Sequence, residues 1–152
     1  MEEPVSELAF SIQEVVVAVN DVNAAAERFG GAFGADADEV VSYPQSGIEI
    51  DMGGIWVGDF RIAFVADVSG TGPVSKFLEK RGEGLYELCL RTADLPAAIE
   101  HMKQGGITFV SEEPHVLRDY EWRGEIFSEV RVVFVHPASS HGVLIELQQW
   151  VK

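Results

Sequence analysis

The chain has 152 residues, 47% of them hydrophobic, which suits one domain with a buried core or two small modules sharing one. Its 25 acids against 11 bases give a formal charge of −14, which repels nucleic-acid phosphates and anionic membrane surfaces. Cys89 is the only cysteine, so an intrachain disulfide and a cysteine cluster for zinc are both excluded.

Met1-Glu2-Glu3-Pro4 lacks the basic start and apolar stretch of a signal peptide, and apolar runs such as Val15 to Val19 are too short to span a bilayer. A soluble cytoplasmic protein is expected, with no nucleic-acid or membrane partner. Ile12 to Val19 reads as a β-branched strand, and Asp21 as the N-cap of a helix with Val22, Ala25, Phe29 and Phe33 at helical spacing. Gly30-Gly31 and Gly34 weaken and end that helix. Val40 to Tyr43, Gly47 to Met52 and Phe60 to Ala66 read as strands, separated by turn residues at Pro44-Gln45-Ser46-Gly47 and Val57-Gly58-Asp59.

A linker over 68–83, rich in Ser, Gly and Pro at its start, carries a short amphipathic segment from Val74 to Lys80. The order then repeats. Tyr86 to Arg91 is a predicted strand and Asp94 to Gln104 a helix that buries Leu95, Ala98, Ile99 and Met102 and stops at Gly105-Gly106. Ile107 to Val110, Val130 to Val135 and Val143 to Gln149 complete a second set of strands.

The repeat is explicit in the residues: Glu14-Val15-Val16-Val17 leads to Asp21 and Ala24-Ala25 as Glu87-Leu88-Cys89-Leu90 leads to Asp94 and Ala97-Ala98, always 73 positions apart. One α+β domain built from two modules, about 11–67 and 84–149, is therefore expected. From Glu14 to Ala63 is 49 residues and from Glu87 to Glu146 is 59, so the second copy carries about ten more. They are placed within His115 to Phe127, as a surface hairpin or a substrate lid carrying Arg118, Tyr120 and Trp122.

Strand alternation puts Glu14 on one face with Val16 and Ala18, Glu87 with Cys89 and Arg91, and Glu146 with Leu144 and Gln148, each opposite a more apolar row. Three carboxylates are expected to converge, because an unpartnered acid on an apolar-flanked strand is costly. Tyr86 stands beside them as a donor but alternates away from Glu87. His101, His115, His136 and His141 lack the spacing of paired metal ligands.

Ala18-Val19-Asn20-Asp21-Val22, Lys76 to Gly84, Glu112-Glu113-Pro114, His136-Pro137 and Gly142 to Leu147 together resemble the vicinal-oxygen-chelate superfamily, which includes glyoxalase I and bleomycin resistance proteins. Within it the methylmalonyl-CoA epimerases are most similar. The resemblance implies paired βαβββ modules whose mixed sheets form an open cup around a metal, helices outside. Those epimerases hold the ion through two histidines, a glutamine or glutamate, and a last glutamate. Here the positions fall on Glu14, Glu87, Ala63 and Glu146, and that of the proposed catalytic glutamate falls near Ile50, with Glu49 next door on the other face.

The leading expectation is an epimerase-like isomerase or lyase that moves a proton on a small carbonyl compound or acyl thioester, with Glu14, Glu87 and Glu146 as catalytic residues. If they hold a metal, their hard oxygens favour Mg²⁺, Mn²⁺ or Ca²⁺ over Zn²⁺. Lys76, with Lys80 and Arg81, would meet phosphates, and Arg118, Tyr120 and Trp122 the substrate. The rival is a non-catalytic protein that sequesters or senses a small molecule. A homodimer is implied by the resemblance and by the apolar strand edges.

Overall fold

The structure, a computed structural model, describes residues 5–45 and 47–152, so the readings at Met1-Glu2-Glu3-Pro4 and at Ser46 lie outside the described residues. Strand β1 (Ser11–Ala18) is followed by α1 (Val22–Phe33), β2 (Val41–Gln45), β3 (Ile48–Val57), β4 (Phe60–Asp67) and α2 (Pro73–Arg81). Then come β5 (Gly84–Arg91), α3 (Leu95–Gln104), β6 (His115–Trp122), β7 (Glu125–Phe134) and β8 (Ile145–Val151). The chain is α+β with the βαβββ order occurring twice, as the repeat implies.

The chain folds into two compact units, Glu14–Glu87 and Leu88–Lys152 with the described residues before Glu14, and the division falls inside β1 and β5. In the first unit the strand order is β2-β3-β4-β1, with β1 and β4 parallel and the other neighbours antiparallel. The second has the same plan in β6-β7-β8-β5, with β5 and β8 parallel. Their registers correspond: Val16 faces Ala63, and Cys89 faces Glu146. The offsets are 89 − 16 = 73 and 146 − 63 = 83, so the ten extra residues are confirmed by hydrogen-bonded partners.

The corresponding helices α1 and α3 start the same way. Asp21 Oδ1 accepts from the Ala24 amide at 3.0 Å and Asp94 Oδ1 from the Ala97 amide at 3.1 Å, satisfying one of the orphan amides of the first turn. α1 ends at Gly34 in the left-handed region, φ 64°, where a side chain would be strained. Its buried face is Val22, Ala26 and Gly30, packed with Val19, Ile55 and Phe64. Phe33, expected on that face, is 56% exposed in the last turn. In the other unit Leu95, Ala98 and Ile99 of α3 pack on Val133 and Leu147, with Leu8 and Phe10 against them. Full burial of a side chain such as Phe64 or Leu147 contributes about 1.5–3 kcal/mol.

Two expected strands change. β3 runs on past Met52 to Val57, because Gly53 and Gly54 stay extended to admit neighbours: a Cβ on Gly53 would meet Val22 and Val40 at 3.1 Å, and one on Gly54 the Arg61 guanidinium at 2.8 Å. Ile107 to Val110 forms no strand. It makes one bridge, Phe109 to Val135, before the chain turns away toward β6. The stretch from His115 to Phe127 is a hairpin, β6 with the start of β7, but its turn, 123–124, is no longer than the β2–β3 connection, 46–47, so most of the extra length does not lie there. It lies in the β7–β8 connection, 135–144, which corresponds to the two-residue turn 58–59.

Candidate functional site

β5 and β8 carry the site. Leu90 and Leu147 point to the α3 side, so alternation sends Glu87, Cys89 and Arg91, and Glu146, Gln148 and Trp150, to the other face. Cys89 is fully buried, and its Sγ donates to Glu146 Oε2 at 3.0 Å. One ligand atom from each of Glu87, Cys89 and Glu146 lies within 4.8 Å of the others, two half-buried carboxylates around a buried thiol. This trio includes two of the three predicted acids and a thiol that strand alternation places only on the same face as Glu87.

Along β8 the same face becomes aromatic. Phe127, Val130 and Val132 are its buried floor, with Tyr120, Trp122, Phe134 and Trp150 packed on it. Trp150 meets Phe127 edge-on at 4.9 Å and Tyr120 at 5.4 Å, and its indole N–H donates to Gln148 Oε1 at 2.7 Å. The Arg91 guanidinium lies 3.8 Å from the centre of the Trp150 ring. Burial pushes the Arg91 pKa down, opposed by the charge of Glu125.

Glu14 belongs to a buried ion pair in the first unit. Arg61, its register partner on β4, donates to Glu14 Oε2 at 2.9 Å and to Asp38 Oδ2 at 2.9 Å. Burial lowers the Arg61 pKa, but the charges and hydrogen bonds of Glu14 and Asp38 outweigh it and raise it overall. Arg61 went unnoticed in the sequence because nothing local marks it; its partners lie 47 and 23 residues away.

The other predicted residues are dispersed. Tyr120 and Trp122 belong to the aromatic floor, whereas Arg118 is exposed and pairs with Glu129 at 2.7 Å. Lys76 is exposed on α2. Tyr86 packs edge-on against Phe77 at 5.2 Å, and burial, then the charges of Glu87 and Asp67, push its pKa up to about 12. Ile50 is buried and Glu49 exposed. His136 Nδ1 accepts from the Ala138 amide, capping a short 3-10 turn at Pro137–Ser139.

The pattern of the glyoxalase/bleomycin resistance protein/dioxygenase superfamily matches residues 13–123. The chain belongs to this superfamily. It is 26% identical over 140 residues to an ethylmalonyl-CoA/methylmalonyl-CoA epimerase of Cereibacter sphaeroides, covering 91% of this chain and 96% of that one. The solved methylmalonyl-CoA epimerase from Mycobacterium tuberculosis is 26% identical with a TM-score of 0.71, over 91% of this chain and 86% of that one. A methylmalonyl-CoA epimerase solved in complex with methylmalonyl-CoA and NH4+ is 25% identical, TM-score 0.69, over 91% and 92%.

The ion that the resemblance implies does not fit these residues. Of its four positions, Ala63 offers no donor and the Glu14 carboxylate is held by the cationic Arg61. Glu87 and Glu146 remain, with Cys89 between them as a soft neighbour in place of a third oxygen. Among the described residues no helix is long and apolar enough to cross a membrane.

Proposed function

We propose that this superfamily member transfers a proton at the carbon next to the carbonyl of an acyl thioester or small carbonyl compound, as an isomerase or lyase with a reassigned site. The observation that carries the reading is the clustering of the Glu87, Cys89 and Glu146 ligand atoms within 4.8 Å. Glu146 is the base, because the Cys89 thiol donates to Oε2 and fixes its orientation. Glu87, two residues before Cys89 on the same strand face, enters the cycle as the carboxylic acid and gives its own proton to the resulting enolate, so one proton is taken by Glu146 and one is given by Glu87. No step runs through a metal. Glu14 enters as the counter-ion of Arg61 rather than as a reacting group. The exposed Lys76, Lys80 and Arg81 on α2 supply cations for the phosphates of a CoA thioester. The reading includes a homodimer, checked by light scattering, and a cytoplasmic location, checked by cell fractionation.

Its support is the likeness to acyl-CoA epimerases together with the trio's chemistry. The test is deuterium incorporation from D₂O into a panel of acyl thioesters. The wild type exchanges the α-hydrogen of at least one, and Glu146→Gln loses exchange while its circular dichroism is unchanged. Exchange that survives in Glu146→Gln sinks the assignment. The second reading, sequestration without chemistry, is favoured by the buried Ile50 at the position where the resemblance puts a catalytic glutamate, and it expects binding with no exchange in any thioester.

A further inference from the structure

Three arginines of the described chain are not fully exposed: Arg61, Arg91 and Arg131. Arg61 has carboxylate oxygens at 2.9 Å, and Arg131 has Glu129 at 2.9 Å. Arg91 has no carboxylate within 4.0 Å among the described residues, and its Nε is buried without a hydrogen-bond acceptor. This is unexpected in a chain of net charge −14, where acids are abundant. One face of the guanidinium is covered by Trp150, with Phe127 at 5.8 Å, so the group has lost water there without gaining an ion pair. The one acid whose charge acts on it, Glu125, lies beyond contact distance and is itself paired with Lys152 at 2.9 Å.

The platform under Arg91 is itself braced. Gln148, its register partner on β8, is buried and accepts the Trp150 indole N–H, which fixes the ring on which the guanidinium lies. Arg91 and Gln148 form the next same-face rung after Cys89 and Glu146. Two residues along a strand advance on the order of 7 Å, the scale of a short acyl chain. A planar cation stacked on one side presents its remaining edge N–H groups to a planar acceptor, and that shape matches a carboxylate in two-point contact.

We propose that Arg91, seated on Trp150 and braced by Gln148, is a specificity-determining residue that binds a carboxylate on the acyl portion of the ligand. It selects acyl compounds carrying a free acid over neutral ones of the same shape. The assignment rests on the reading of Glu146 and Cys89 as the reacting end, but its test reads binding, not turnover.

The decisive comparison is equilibrium binding of methylmalonyl-CoA and isobutyryl-CoA, which differ by a carboxylate in place of a methyl group. Wild-type protein is expected to prefer the acid by about tenfold or more, the scale of a charge-assisted hydrogen bond. Arg91→Met narrows that preference toward unity, and Arg91→Lys keeps part of it because the charge remains without the fork. A preference unchanged in Arg91→Met overturns the proposal. Free methylmalonate and inorganic phosphate, followed by tryptophan fluorescence, separate this failure from failure of the proton-transfer reading. Methylmalonate binding that disappears in Arg91→Met upholds the carboxylate site even if no thioester exchanges its hydrogen. Equal binding of phosphate, or no methylmalonate binding by the wild type, overturns it. Thermal melts of both variants confirm that the comparison is made on folded protein.

Discussion

Cys89 and Glu146 face each other across the β5–β8 ladder, with Sγ 3.0 Å from Oε2, in the rung that Val16 and Ala63 occupy in the β1–β4 ladder. One copy of the repeat has thus kept an apolar pair where the other has a hydrogen-bonded polar one. Cys89→Ala removes the donor, and is expected to destabilise the fold by about 1 kcal/mol and to slow exchange by freeing the Glu146 carboxylate to turn. Cys89→Ser, which retains a donor, is expected to keep most of both. Urea midpoints and exchange rates on the same preparations check this. Because Cys89 is fully buried, its thiol should react with a disulfide reagent only as fast as the protein unfolds.

Arg61 joins Glu14 and Asp38 across three segments of the first unit, and at Glu14 both partners are buried. Arg61→Met leaves the Glu14 carboxylate in place without its main cation and is expected to cost about 3–5 kcal/mol. Adding Glu14→Leu should recover much of that loss, since the pair is then replaced by apolar groups. A chemical-denaturation cycle over the four proteins measures the coupling. If the double variant is as unstable as Arg61→Met, the pair is not what the first change disturbs.

Gly54 makes that ion pair sterically feasible. A Cβ there would lie 2.8 Å from both the Arg61 guanidinium and the Ile62 carbonyl oxygen, and the backbone oxygen cannot swing aside. Gly54→Ala is expected to destabilise the protein by roughly 1–3 kcal/mol, the usual penalty of overpacking. Combined with Arg61→Met it should remain costly, because the clash with Ile62 persists. Denaturation midpoints of the single and double variants give the answer.

The repeat was readable because its signals are local. Asp21 and Asp94 announce two helices, and the alternation around Val17 and Leu90 assigns each strand a helix side, which the packing of both units bears out. What stayed hidden depends on partners distant in sequence. Gly53-Gly54 looks like the end of a strand until Arg61, from the next strand, is seen lying over it. Phe33 follows the helical period, yet it falls in the last turn before Gly34, where little protein lies beneath it. Cys89 and Glu146 are 57 residues apart, and Arg91 and Trp150 meet only once β5 and β8 are paired in register. Periodicity therefore shows which face an acid occupies, but not which cation or thiol shares it.

Tyr86 supplies a pH dependence of known sign. Its pKa is raised from 10.0 to about 12, chiefly by burial and then by the negative charges of Glu87 and Asp67. Between pH 10 and 12 the unfolded chain has lost the phenolic proton while the folded one retains it. The folded state then binds more protons, so stability falls as pH rises. The contribution is complete below pH 10 and is lost by the time pH has passed through the folded value near 12. Tyr86→Phe keeps the ring against Phe77 and removes the titration, so its stability should decline less steeply across that window. Urea midpoints at pH 9 and 11 for the two proteins make the comparison. Equal losses in both would mean that the phenol is solvated in the native state and that another group drives the alkaline unfolding.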